Sequence, residues 1–284
     1  MRNAATADVR HADVPADGAG IGAESPAPHM RETPPTPLQQ AQALMYRAWE
    51  ASGRTRVRLA RKALALSHDC ADAYVLLGDE TARSMEDACS LYEQGVKAGE
   101  RALGESFERL AGDFSHDLAR AYLRARYALA DCLWALGRSK EAIAHLSEML
   151  RLNPMDEQGI HHVLARFLLE TDNDKALGEL LDRYPGDVGA FWSYTRALHA
   201  YRAEGPSFRA EVLLKAAMCV NHHVPAYLLG RMVIPDELPP YYLTGQQDEA
   251  ITYAAEFLTG WAQSDDALDW LAEHTVNPHP HRGH

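Results

Sequence analysis

Lysine is scarce. Only Lys62, Lys97, Lys140, Lys175 and Lys215 occur in 284 residues, and the formal net charge is −12. Phosphate backbones are held by clustered Lys and Arg, so this balance argues against nucleic-acid binding. Cysteine is sparse as well. Cys70, Cys89, Cys132 and Cys219 are widely spaced and never form C-x-x-C, which argues against a zinc ribbon or a disulfide framework and points to a reducing compartment. No apolar run approaches the roughly 20 residues that span a bilayer. The N-terminus also lacks the charged-then-apolar order of a secretory signal. The expectation is a soluble cytoplasmic protein with no membrane partner. The preference for Arg over Lys, with abundant Ala, points to a GC-rich, bacterial genome.

What is present is apolar enough to fold: 46% of the residues are hydrophobic. Residues 1–37 are the exception. They hold six prolines and three glycines with no periodic apolar segment, so they are expected to form a disordered tail. The glycines of "GAGIGAE" have neither a strand before them nor a helix after them, and are not read as a phosphate loop. From Leu38 apolar residues recur three and four apart, punctuated by Gly, Asp, Asn or Pro. The fold class is all-α. A helical domain is expected over residues 38–273, followed by a His/Pro-rich tail over 274–284. "RTRVRLARK" carries Arg54, Arg56, Arg58, Arg61 and Lys62 and reads as a solvated basic helix face.

The segments repeat. Gly137, Ala142, Leu146 and Met149 have equivalents 34 residues on in Thr171, Ala176, Leu180 and Arg183, and again in Gly205, Ala210, Leu214 and Ala217. The helix before each carries its own set: Leu129, Ala130 and Leu133, then Val163, Leu164 and Phe167, then Ala197, Leu198 and Tyr201. Each unit is a helix pair. Further pairs are expected over Leu38 to Leu66 and from "DAYVLLGDE" to Gly95. After "VPAYLLG" the array ends irregularly. In "IPDELPPYY" the prolines Pro235, Pro239 and Pro240 forbid a helix. An extended loop is expected there, folding back over the last helices, with Trp261 sealing the core and Trp270 nearer the surface.

The 34-residue period and the segment "EAIAHLSEMLRLNP" resemble the tetratricopeptide repeat, most strongly over 123–222. Over roughly 105–272, "YLRARYALADCLWALGR", "EMLRLNPMDEQGI", "HHVPAYLLGRMVIPDELPPYYLTGQQDEAITYAAEFLTGW" and "ALDWL" are similar to a narrower group. That group is the tetratricopeptide family related to suppression-of-tumorigenicity protein seven, especially its soluble bacterial members. Against that resemblance, the N-terminal membrane segments of the animal relatives are not expected here. The resemblance implies a superhelical solenoid of antiparallel helix pairs. It also implies a groove lined by the first helix of each pair: Arg124, Tyr127, Asp131 and Trp134, then Gln158, His161, Ala165 and Leu168, then Trp192, Thr195, His199 and Arg202.

Stacked helix pairs create an extended binding face as a consequence of burying their apolar stripes. Aromatic and Arg side chains on such a face suit a peptide or partner protein. The expected function is therefore a non-enzymatic protein–protein interaction scaffold without a cofactor. Tyr127 and Asp131 stand where a carboxylate-clamping subclass would need a basic residue and Asn, which argues against a chaperone-tail clamp. The alternative is a metal-binding or enzymatic protein using Asp131, His161 and His199, since two His and a carboxylate can hold zinc or iron where they converge. The pairs at 161–162 and 222–223 are not expected to chelate together, because neighbouring helical side chains point about 100° apart. No Ser/His/Asp or Cys/His arrangement has a catalytic context. Asp236, Glu237, Asp248, Glu249, Glu256, Asp265, Asp266 and Asp269 read as a solvated terminal cap. Weak self-association of that acidic end with the basic face of another molecule is the competing reading.

Overall fold

The structure is a computed structural model that describes residues 34–113 and 115–275. Most of the expected N-terminal tail, and residues 276–284 of the expected C-terminal tail, lie outside the described residues. Among the described residues every regular element is helical. The chain divides into two compact units, Met1–Cys132 and Leu133–His284.

In the first unit, α1 (Pro37–Glu50) opens with Thr36 as N-cap, a capping box with Gln39 and proline at its first position. These satisfy amide groups that a helix start otherwise leaves unpaired. Helix α2 (Arg54–Leu66) packs on α1, burying Ala60 and Ala63 against Ala41, Met45 and Ala48. The basic residues Arg54, Arg58, Arg61 and Lys62 face solvent, as read from the sequence. Helices α3 (Ala71–Thr81) and α4 (Met85–Leu103) form the next pair. They approach so closely that a Cβ on Gly78 would lie 2.4 Å from the Tyr92 ring. A 3₁₀ turn (Gly104–Ser106) and the short α5 (Phe107–Leu110) lead into α6 (Asp117–Ala135), within which the division between units falls.

The second unit contains α7 (Ser139–Leu152), α8 (Ile160–Glu170), α9 (Asp174–Arg183), α10 (Ala190–Glu204), α11 (Phe208–Val220), α12 (Val224–Leu228), α13 (Gln247–Ala262) and α14 (Ala267–Thr275). Thus α7, α9 and α11 begin where the 34-residue period places second helices. Ala142, Leu146, Met149, Ala210, Leu214 and Ala217 are buried, whereas Ala176 is half-buried and Arg183 exposed. The pattern is loosest in the middle copy. His274 and Thr275, expected in the tail, are instead the last residues of α14.

The C-terminal segment departs most from the repeat. The partner of α13 is reduced to the five-residue α12, and α13 packs on α8 and α10 as well as on α12 and α14. Gly260 permits the contact with α8: a Cβ there would lie 2.2 Å from Leu169 Cδ2. The contact with α10 is aromatic, with Tyr253 against Tyr194 at 5.7 Å and against Phe191 at 5.6 Å. Glu249, expected in a solvated cap, is 1% exposed. It accepts from Ala190 N, Asn221 Nδ2 and Gly245 N at 2.7–2.9 Å, so α13 caps the start of α10. Three donors make that buried carboxylate tolerable. Trp261 is fully buried and donates to Tyr253 Oη at 2.9 Å. Trp270, expected nearer the surface, is buried too, stacked on Tyr201.

Candidate functional site

The expected groove residues fall into three groups. In the first unit, Arg124 is tied down by an ion pair with Asp72, a buried carboxylate that also accepts from Gln42 Nε2 at 2.7 Å. Its guanidinium also faces the Trp49 ring, as does that of Arg56. Tyr127 is half-buried and Asp131 exposed on α6. In the second unit, Trp192 and Thr195 are fully buried, as are Ala165 and nearly so Leu168. The Thr195 hydroxyl donates to Phe191 O at 2.6 Å and lies beside the Tyr253 hydroxyl. Trp134 stacks on Phe167 with centroids 3.7 Å apart.

His199 and Arg202 form the third group, half-buried with partners inside the chain. His199 Nε2 meets Asp174 O at 2.9 Å. Arg202 bonds Asp172, Asp174, Leu169 O and Ser264 Oγ. These contacts hold both side chains to the chain itself. Trp192 is covered by Tyr184, His161 and His162, and Thr195 lies beside Tyr253 of α13, which packs on α8 and α10.

The alternative reading named Asp131, His161 and His199 as a metal set. His199 is committed to Asp174. The structure gathers His161, His162 and Asp187 instead, one ligand atom of each lying within 4.8 Å of the others. Asp187 Oδ2 is 2.9 Å from His161 Nε2 and 2.5 Å from His162 Nε2. Adjacent histidines share one carboxylate because they occupy the first turn of α8. Helical side chains tilt toward the N-terminus, so both rings project past the helix end to the turn between α9 and α10 that holds Asp187.

Asp156 completes the arrangement from the turn before α8, at a positive φ of 49°. Its Oδ1 accepts from Ile160 N at 2.9 Å and its Oδ2 from His161 N at 2.7 Å, covering the open amides of the helix start. Oδ2 is also 2.5 Å from His161 Nδ1. Gln158, half-buried, sits in the same turn. Aromatic rings wall the cluster: Tyr184 stacks on His161, Trp192 meets it edge-on and Phe191 stacks on His162. Burial pulls the His161 pKa down, but hydrogen bonds and charge from Asp156 and Asp187 outweigh it and push the value up to about 9. Burial raises the Asp187 carboxyl, yet its bonds to both histidines hold it below the usual carboxylate range.

Asp156, His162 and Asp187 were missed from sequence. Asp156 had a signal, an acidic side chain four residues before a helix start in "DEQGI". Asp187 had none, since it lies 26 residues beyond His161.

A second feature lies between α12 and α13. Among the large apolar residues of residues 232–243, Val233 is 86% exposed, Tyr241 78% and Leu243 70%, with Met232, Leu238 and Tyr242 also exposed. The segment is non-helical, as its prolines require. Both ends are pinned: Met232 N donates to Ala226 O, and Gly245 N to Glu249. Tyr242 also stacks on Phe191 at 5.4 Å. Among the described residues, no helix is long and apolar enough to cross a membrane.

The chain is 30% identical to the human protein named suppressor of tumorigenicity 7 protein-like over 282 residues, covering 87% of this chain and 48% of that one. The zebrafish (Danio rerio) protein of the same name is 28% identical, with 87% and 47% covered. The Caenorhabditis elegans protein ST7 homolog is 28% identical, with 81% and 49% covered. The chain thus spans about half the length of the curated relatives it matches. The ST7 protein family profile matches residues 33–276, a span that includes every described residue, and the protein belongs to that family.

Proposed function

We propose that this chain is a non-enzymatic protein–protein interaction scaffold, built from tetratricopeptide-type helix pairs, that docks its partner through the apolar segment 232–243. The cluster of exposed large side chains on that one segment carries the reading. Contiguous exposed apolar surface is rare on a monomer and usually marks an interaction site. Its pinned ends matter as much as its composition, because a segment already held in place loses less freedom on binding. The face of α8 and α10 is the weaker choice, being covered by α13. The 34-residue spacing and the burial of Ala142 and Ala210 support tetratricopeptide-type packing. A cytoplasmic, bacterial setting rests on composition alone.

The test is a full-length variant carrying Val233→Ser, Tyr241→Ser and Leu243→Ser. Exposed positions change stability by about 0.5 kcal/mol or less each, so its melting temperature should stay near that of the parent. Proteins captured by the parent from its native cytosol should disappear with the variant. Retention of the same partners would reject the segment as the docking surface.

A further inference from the structure

We infer that His161, His162 and Asp187 form a site for a divalent transition-metal ion, zinc by preference, with Asp156 as the carboxylate that orients His161. The donor set is two imidazoles and one carboxylate, the borderline-soft chemistry that suits zinc. Their ligand atoms already converge: Asp187 Oδ2 lies 2.9 Å from His161 Nε2 and 2.5 Å from His162 Nε2. Zinc–nitrogen and zinc–oxygen bonds of about 2.0–2.2 Å in tetrahedral geometry place ligand atoms about 3.3 Å apart. The two His–Asp187 separations need to widen by less than about 1 Å, and the two imidazole nitrogens already lie within 4.8 Å of each other.

Asp156 supplies what a chance meeting of three side chains lacks. Metal-bound histidines commonly give their other ring N–H to a carboxylate, which fixes the tautomer and aims the free nitrogen at the ion. His161 Nδ1 meets Asp156 Oδ2 at 2.5 Å, leaving Nε2 toward Asp187 and His162. Asp156 is itself locked by the amides of Ile160 and His161. The three side chains are partly buried, with 12–21% of their side-chain surface exposed, so water reaches the cluster and can serve as a fourth ligand. Binding replaces the His–Asp187 hydrogen bonds by bonds to the ion and releases the protons those bonds carry. The ion would then clamp the start of α8 to the turn before α10. Phe191, on which both His162 and Tyr242 stack, sits at that junction.

The experiment uses the full-length chain with His279, His281 and His284 replaced by Gln, so that the terminal histidines contribute nothing. Calorimetric titration with zinc chloride after chelator treatment should show one equivalent bound, and zinc should raise the melting temperature. His162→Gln and Asp187→Asn should each weaken binding at least tenfold and abolish the thermal shift. Asp156→Asn, which removes no ligand, should weaken it about 10–100-fold. Cobalt(II) added to the same chain without ligand substitutions should give the visible bands of a four-coordinate nitrogen–oxygen site, a readout that does not depend on any ligand variant folding. Absence of both zinc heat and cobalt bands, or zinc binding unchanged in His162→Gln, would overturn the site and leave the cluster as a hydrogen-bonded clamp.

Discussion

Replacing Gly260 by Ala tests the packing that covers the expected groove. In an ordinary helix the change is favourable by up to about 1 kcal/mol, because Ala loses less conformational freedom than Gly. Here the added Cβ would lie 2.2 Å from Leu169 Cδ2 and 2.6 Å from Leu169 Cγ. Carbon atoms rest at about 3.5–4.0 Å, so Leu169 has to retreat by about 1 Å or more. It has little room, being fully buried in α8. Overpacking of this kind costs about 1–3 kcal/mol, and the net expectation is a loss of about 1–2 kcal/mol. For a domain of this size each kcal/mol shifts the melting temperature by about 2–4 °C.

The second half of the test is Leu169→Ala, expected to cost about 2–5 kcal/mol alone. With the Leu169 side chain gone, Gly260→Ala should reverse sign and become neutral or stabilising, giving a coupling of about 1–3 kcal/mol in the double-mutant cycle. Thermal and urea unfolding of the four proteins measure it. A Gly260→Ala variant at least as stable as the parent, or the same effect in both backgrounds, would refute the contact between α13 and α8.

Trp261→Ala should cost about 3–5 kcal/mol, since it empties a fully buried site and strips Tyr253 Oη of its donor; urea unfolding showing a loss below about 1 kcal/mol would contradict that burial. Glu256 gives a pH signature: burial raises its pKa, with Arg166 and His162 opposing. A raised carboxyl pKa adds stability below the unfolded value of about 4.3, and that stability is lost as pH rises through the folded value. Glu256→Gln should therefore gain in melting temperature relative to the parent between pH 4 and pH 7, and a difference that shrinks over that range would show the sign to be wrong.

Helix pairing was legible because it is local. Ala142, Leu146 and Met149 lie on one face by spacing alone, and Pro235, Pro239 and Pro240 forbid a helix. The burial of Trp270 was not legible, since its covering ring, Tyr201, lies far back in the chain. Glu249 misled for the same reason: an acidic residue in the first turn of an acidic helix reads as solvated until the amide of Ala190, 59 residues away, is seen to need it.

Periodicity, punctuating residues and prolines thus set the all-α class, the succession of helix pairs and the non-helical segment before α13, each through interactions within a few residues of chain. The candidate sites were settled at longer range. Whether Thr195 faces a partner depends on where α13 comes to rest, since Tyr253 lies beside its hydroxyl from 58 residues further along the chain, and Trp192 is covered by Tyr184 and the histidines that start α8. His161 and His162 become a possible ligand pair only because the turn after α9 brings Asp187 over the start of α8. No local pattern encodes that meeting, since it requires two separate helix ends to share one point in space.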